Sequence, residues 1–344
     1  MKVLVVHPGP EYSVADVHNG LLRGLRACGV DAREYNMHDR LAFYAEAQIE
    51  RDGETRHAFS SDAAIGMAAK GLSATLYEWW PDVVVIVSGF FVPPFVWAVL
   101  ARRPHHVVLW CTESPYEDDR QLRPAEFADT VILNDPLNLS MFRAVNERSY
   151  YFPHSYDPAI HYPGEGGKVH DFAFVGTGFA SRIEFFEAVE WGAVVPTFAG
   201  NWQAVEDGSP LEPFLADAKG ECLDNLAAAD LYRASAMSMN LYRREATEAS
   251  TADGVAMGPR EVELAACGTF FLRDPRPEGD DLFPMLPTFR SVGEFSELLD
   301  WWHRHPVERE SAAVAARAAV ADRTFTATAA RLLALVDGAV KTMR

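Results

Sequence analysis

The chain has 344 residues, 49% of them apolar and 23% charged, the balance of a globular protein with one large or two medium domains. Its 49 acidic residues outnumber 31 basic ones, for a net charge of −18. Such a surface repels phosphate backbones and anionic lipid, which excludes duplex nucleic acid and membrane surfaces as primary partners but leaves room for a local basic site.

The opening "MKVLVVHPGP" reads as a buried strand and lacks the long apolar segment of a signal peptide. No uninterrupted apolar run approaches membrane-spanning length, so no membrane insertion is expected. Cys28, Cys111, Cys222 and Cys267 lie far apart among apolar or small neighbours, which predicts reduced, buried thiols and a cytoplasmic location.

In chain order, "VLVV" at 3–6 is a β-branched strand, and an amphipathic stretch from Val14 to Ala27 stops at Gly29. "DVVVIVS" (82–88), "HVVLWC" (106–111) and "TVILN" (130–134) are further apolar strands, with helices expected at 62–80, 94–102 and 136–146. Continuous apolar strands alternating with helices predict a parallel sheet covered on both faces. "YPGEGGKVH" (162–170) interrupts this grammar and is the best linker candidate. The alternation then restarts with strands "DFAFVG" (171–176), "VVPTFAG" (194–200), "AMSMNL" (236–241) and "TFFLR" (269–273). Helices are expected at 180–190, 221–234 and 258–268, and the chain from 306 onward is Ala-rich and helical. The expected fold is α/β, two Rossmann-like domains facing across a cleft: residues 1–161, a linker at 162–170, and residues 171–325. A C-terminal helix at 326–344 is expected to pack back on the first domain. Ligands of such sheets bind at the carboxyl ends of the strands.

The segment "GPREVELAACG" (258–268) has Pro259 at a favourable first helical position and Gly268 as a stop. Arg260 and Glu263, three residues apart, share one face. They form either a solvated ion pair or, at a helix N-terminus that favours anions, a binding pair: a fork for phosphate and a carboxylate for a vicinal diol. "FVGTGFASR" places Gly176, Thr177 and Gly178 between a strand and a helix, with Arg182 in the helix's first turn. It is a phosphate-type turn without the three-glycine fingerprint, because Ser181 stands at the third position. "MNLYRRE" adds Asn240, Arg243 and Arg244 at another strand end. Arginines gathered at three strand ends of so acidic a chain call for an anion.

These segments resemble the CgeB-like, spore-maturation type glycosyltransferases of GT-B architecture. The resemblance rests on "DFAFVGTGFASR", "FAGNW", "LYRASAMSMNLYRRE", Arg260 to Gly268 and the acidic loop 280–283 in the second half. In the first half it rests on "VVLWCTESPYEDD", "NDP" and "YFPHSYDP". It covers most of the chain from about residue 80 onward. The resemblance implies a glycosyltransferase that uses a nucleotide-diphosphate sugar as substrate, with no further cofactor, and a protein or surface polymer as acceptor. It makes the first domain the acceptor side and the second the nucleotide-sugar side. By the same analogy Glu263 binds the donor ribose, the turn Gly176–Thr177–Gly178 and the helix end hold the diphosphate, and Arg182, Arg243 and Arg260 neutralise it. The earlier acidic residue of the related two-glutamate motif is replaced here by Val255, with Glu261 nearby as the remaining carboxylate.

On the acceptor side Glu113, between a buried strand and Pro115, is either a loop carboxylate in water or the catalytic base. His154, expected at the hinge, either faces the donor sugar or is a hydrogen-bonded hinge histidine, and His7 ranks third. "EDD" (117–119) is expected as a solvated loop rather than a metal motif, because two-Rossmann transferases bind diphosphate without one. "HH" (105–106) is expected at the surface, and no metal site is assigned. The competing functions are a nucleotide-sugar epimerase or hydrolase, or a nucleotide-sugar-binding protein without catalysis. A nicotinamide oxidoreductase is disfavoured by the missing glycine fingerprint.

Overall fold

The computed structural model describes residues 1–10, 12–101, 104–216, 220–242 and 254–343. Two compact units emerge: Met1–Pro153 with Phe325–Arg344, and His154–Thr324. The segment 162–170, expected as a linker, lies inside the second unit, where Lys168 Nζ donates to the Arg233 carbonyl (2.8 Å).

In the first unit the elements run β1 (Lys2–Val6), α1 (Tyr12–Ala27), β2 (Asp31–Tyr35), α2 (Met37–Ala45), β3 (Gln48–Arg51), β4 (Glu54–His57) and α3 (Ser61–Trp79). They continue with β5 (Val83–Val87), α4 (Pro94–Leu100), β6 (His106–Cys111), α5 (Asp118–Ala125), β7 (Thr130–Leu133), α6 (Leu139–Val145) and β8 (Ser149–Tyr151). The sheet order is β2-β1-β5-β6-β7-β8, all parallel. Every residue of β5, β6 and β7 is buried, which is why these strands read as unbroken apolar runs. The chain moves outward from β1 to β2, then returns to build β5 on the other side, so the topological switch lies between β1 and β5. The hairpin β3–β4 stands apart as an exposed two-stranded sheet.

His105 and His106 are buried rather than at the surface. His106 Nε2 meets Thr130 Oγ1 (2.9 Å), and His105 Nδ1 meets the Pro81 carbonyl. The strand begins at His106, so both rings fall within the sheet's amino edge, where side-chain and carbonyl partners replace water.

The second unit contains β9 (His170–Val175), α7 (Ala180–Glu187), β10 (Pro196–Ala199), α8 (Asn225–Ala234), β11 (Ser235–Asn240), α9 (Pro259–Ala266) and β12 (Phe270–Arg273). Helices α10 (Pro277–Leu282), α11 (Val292–Arg304) and α12 (Pro306–Ala319) follow. Its parallel sheet has the order β10-β9-β11-β12, with the switch between β9 and β11. An aromatic core (Phe172, Phe174, Phe186, Phe198, Trp202, Phe295) fills one side of it. The last helix, α13 (Phe325–Met343), returns to the first unit and packs on α1. Gly20 and Gly24 make that seat, since a Cβ on either would strike Phe325 inside van der Waals contact.

All four cysteines are free thiols; Cys111 and Cys267 are buried, but Cys222 is exposed because it precedes α8 in an open loop. No helix among the described residues is long and apolar enough to cross a membrane.

Candidate nucleotide site

Helix α9 starts where Pro259, lacking an N–H, occupies the first turn, and where Glu261 reaches back to accept from the Gly258 amide (2.9 Å). It stops at Gly268, whose φ of 69° lies in the left-handed region. Arg260 and Glu263 do not pair with each other. Arg260 Nε donates to the Val175 carbonyl (3.0 Å) at the end of β9, and Nη1 donates to Asn240 Oδ1 (2.9 Å) at the end of β11. Its guanidinium lies 4.8 Å from the centre of the Phe174 ring. One side chain therefore spans the switch point of the sheet. The half-buried Glu263 side chain makes no hydrogen bond among the described residues. Its charge is felt at Tyr232, whose hydroxyl is pushed up chiefly by burial, and at Cys267, pushed up to about 12 for the same reason.

The turn after β9 is laced from below. The Gly176 amide donates to the Ala199 carbonyl (2.9 Å), and that of Gly178 to the Asn201 carbonyl (2.8 Å). The Thr177 amide between them makes no hydrogen bond among the described residues. Gly176 is required by proximity: a Cβ there would stand 2.7 Å from Arg260 Nη2. Arg182 is buried, with Nη1 on the Thr177 carbonyl (3.0 Å) and Nη2 on the Leu241 carbonyl (2.7 Å). It fastens the turn to the end of β11. Arg243 lies outside the described residues, as does Arg244.

Behind Arg260 is a buried polar network. Glu261 is fully buried, and its Oε2 accepts from Gly258 N, Asn240 Nδ2 (3.0 Å) and the Tyr242 hydroxyl. Its Oε1 lies 3.8 Å from Arg273 Nη1 and has no hydrogen-bond partner. Burial pushes the Glu261 carboxyl up to about 6, against the opposing pull of the Tyr242 and Gly258 bonds and of Arg273 and Arg276. Asn240 thus joins Arg260 and Glu261 through the two ends of one amide. Arg276 stacks over the Tyr242 ring (3.8 Å) and donates to the Ala256 carbonyl (3.1 Å), securing the loop that leads into α9. Beside it, a pocket of about 370 Å³ opens between Ser181, Phe185, Tyr242, Asp274, Phe289 and Arg290.

His154, at the start of the second unit, sits among Glu278, Arg323 and Arg276, and burial lowers it to about 4. Glu278 itself accepts from Met257 N (2.9 Å) and Arg323 Nη1 (2.8 Å). In the first unit, half-buried Glu113 stands two residues beyond β6 and His7 directly after β1, with β5 between those strands. His7 accepts from the Gly9 amide on Nδ1 (3.1 Å) and contacts the rings of His18 (4.8 Å) and His38 (5.9 Å). Burial and His18 lower it to about 4. The acidic loop corrects the expectation of a solvated segment: Asp118 is buried. It is held there by the Ser114 hydroxyl (2.6 Å) and Asn138 Nδ2 (2.9 Å). A carboxylate given two donors can leave water, which the sequence pattern "EDD" did not reveal. Among the described residues no group of three His, Cys, Asp or Glu side chains is arranged to hold a metal ion.

Sequence reasoning named Asn240 and Glu261 but not Tyr242, Arg273 and Arg276, which surround the Glu261 carboxylate. Their only signal was the placement of polar residues just past buried strands.

Residues 177–335, a little under half of the chain, match the family model described as glycosyl transferase-like. The match runs from the turn after β9 to the last helix, so it contains every second-unit residue discussed except Gly176 and those before it. The fold is GT-B. A sucrose-phosphate synthase from Thermosynechococcus elongatus superposes with a TM-score of 0.68 over 99% of this chain and 100% of that one, at 12% identity. Anabaena HepE, in complex with UDP and glucose, gives 0.64 over 98% and 100%, again at 12% identity. A putative UDP-N-acetylglucosamine 2-epimerase from Listeria monocytogenes gives 0.59 over 99% and 97%, at 11%. At such identities the likeness is one of fold. Among curated proteins, nothing matches the sequence. The narrower CgeB-like resemblance has no counterpart in these matches.

Proposed function

We propose that the protein is a glycosyltransferase that moves a sugar from a nucleotide-diphosphate sugar to an acceptor hydroxyl. The observation that carries this reading is the separation of Arg260 and Glu263. A cation and a carboxylate share the first turns of one helix at the switch point, yet neither neutralises the other. The glycosyl transferase-like match over 177–335 and the complex of HepE with UDP and glucose support the same assignment.

In this proposal the Thr177 amide and the Arg260 guanidinium receive the diphosphate, and Glu263 accepts the ribose hydroxyls. Arg182 and Asn240 fix the geometry of those groups, as do Gly176 and Gly178. The bond from the anomeric carbon to the β-phosphate oxygen breaks, a bond to the acceptor oxygen forms, and the acceptor proton passes to a base. That base is assigned to Glu113, with His154 and His7 as the next candidates. Positive charge at the sheet edge stabilises the departing diphosphate, the role a divalent metal would otherwise fill. The acceptor class favoured is a protein or surface polymer, and the location cytoplasmic.

A thermal-shift panel of nucleotide sugars tests the reading. The true donor at about one hundred times its dissociation constant adds about 2.7 kcal/mol of stability. No shift with any of them would remove it. Donor consumption without acceptor would favour the hydrolase or epimerase reading, and binding without turnover a binding protein.

A further inference from the structure

Glu261 is the least expected residue of the site. A fully buried carboxylate is costly unless its neighbours favour the charged form. Here only one of its oxygens is hydrogen-bonded; the other faces Arg273 at 3.8 Å without a bond. The charged and titratable groups around it come from four elements: Arg260 on α9 itself, Tyr242 beyond β11, Arg273 on β12, and Arg276 and Asp280 at α10. Asp280 binds Arg273 Nη2 at 2.9 Å and draws that cation's charge away from Glu261. The balance between charged and neutral Glu261 is therefore open to a further charge placed nearby.

Such a charge arrives with the ligand. Asn240 Oδ1 holds Arg260 Nη1, while Asn240 Nδ2 holds Glu261 Oε2, so the phosphate-facing guanidinium and the buried acid are separated by a single amide. An anion on Arg260 adds negative charge on the far side of that amide and disfavours a charged Glu261. We propose that Glu261 is a positioning residue that sets Arg260 and the first turn of α9 through Asn240, Tyr242 and Gly258, and that diphosphate binding draws one solvent proton toward its carboxylate. This rests on the nucleotide-site reading above. By reciprocity, protonating Glu261 tightens the hold on the anion, so affinity falls as pH rises through the acid's range. The carboxyl is poised for this, since burial already holds it near 6.

The test reads the acid directly. In protein labelled with ¹³C at glutamate carboxyls, the Glu261 signal is assigned by its loss in Glu261→Gln and titrated with and without ligand. The probes are sulfate, and a nucleotide-diphosphate sugar taken from the thermal-shift panel; neither titrates between about pH 5 and 8, so any proton taken up belongs to the protein. Expected is a free-protein midpoint near 6 that rises by about one unit with either probe, a tenfold change in proton affinity. Calorimetry in two buffers of different ionisation heat then shows fractional proton uptake in the wild type and none in Glu261→Gln. Should Glu261→Gln fail to fold, Tyr242→Phe decides. Losing the hydroxyl that donates to Oε2 raises the free midpoint further, which a purely structural tyrosine would not do. A free midpoint in the ordinary carboxylate range overturns the proposal, as does a midpoint unmoved by a probe that binds. If no nucleotide sugar binds, the transferase reading falls while the sulfate titration still decides this one.

Discussion

Replacing Glu263 with alanine separates a ligand contact from a structural role. The side chain is half-buried, makes no hydrogen bond among the described residues and does not pair with Arg260. Alanine is at least as good a helix former, and the Tyr232 and Cys267 groups near Glu263 stay neutral with or without its charge. Stability should therefore change by no more than about 0.5 kcal/mol, the range of a substitution that breaks no contact. The bound state is different. A carboxylate accepting from a ribose hydroxyl makes a charge-assisted bond whose loss typically costs about 1.5–3 kcal/mol, a tenfold to hundredfold weakening on the order of the affinity scale. Calorimetric titration of the donor nucleotide into both proteins, beside thermal unfolding of each, measures the two quantities. Equal affinities would show that Glu263 does not touch the ligand, and a large drop in melting temperature would show that its role is in the fold.

Glu113→Gln keeps the shape of the loop but removes the proposed base, so turnover should fall by at least about a hundredfold with donor affinity near wild type; full turnover on the true acceptor would move the base to His154 or His7, or to the departing phosphate of a retaining mechanism. Activity should survive exhaustive chelation, and a loss restored only by magnesium or manganese would refute the assignment of the metal's role to Arg260 and the helix end. His7, His18 and His154 all have lowered pKa values, so between about pH 6.5 and 4 the unfolded chain binds more protons than the folded one. Stability is then complete above about pH 6.5 and lost as pH falls toward 4; Glu261, shifted the other way, opposes this with a smaller effect. Thermal unfolding across that window should show the loss, and His154→Asn should flatten it.

The inner strands of the first sheet and the four of the second were legible because strands buried on both faces leave unbroken apolar runs, as β5 does in "VVVIV", whereas the part-exposed edge strands β2 and β8 leave no such run and were missed. The exposed hairpin Gln48–His57 was missed too, since it has no buried face to impose a pattern. Helix α11 escaped notice although its Phe295 and Leu299 are buried, because Trp301 and Trp302 blur the apolar stripe. The same limit applies to single residues. "HH" and "EDD" look hydrophilic, yet His106 and Asp118 are buried by partners 24 and 20 residues away, Thr130 and Asn138. Local sequence carries no mark of such pairings. At the candidate site the residue types and their order were readable, but the direction of each guanidinium was not. Arg182 and Arg260 carry similar motif weight, and only coordinates show that Arg182 turns both terminal nitrogens onto main-chain carbonyls.

Whether a guanidinium faces a carboxylate or a neutral acceptor bears on where an anion can bind in so acidic a chain. Arg233, Arg273 and Arg323 each face a carboxylate, from Asp230, Glu261 with Asp280, and Glu278 respectively. Their charges are largely cancelled at close range. Arg260 is held by a carbonyl and an amide oxygen, partners that fix a guanidinium without neutralising it. A hydrogen bond to a neutral acceptor orients the charge and leaves its field intact, whereas an ion pair removes the field along with the freedom. Bracing by neutral groups is what a preorganised anion site requires: the side chain has already lost its rotamer entropy before the ligand arrives, and little reorganisation accompanies binding. The arrangement also explains why lysine would be a poor substitute. A single ammonium cannot reach the ends of β9 and β11 together, and without both anchors the charge would follow the nearest carboxylate rather than remain at the switch point.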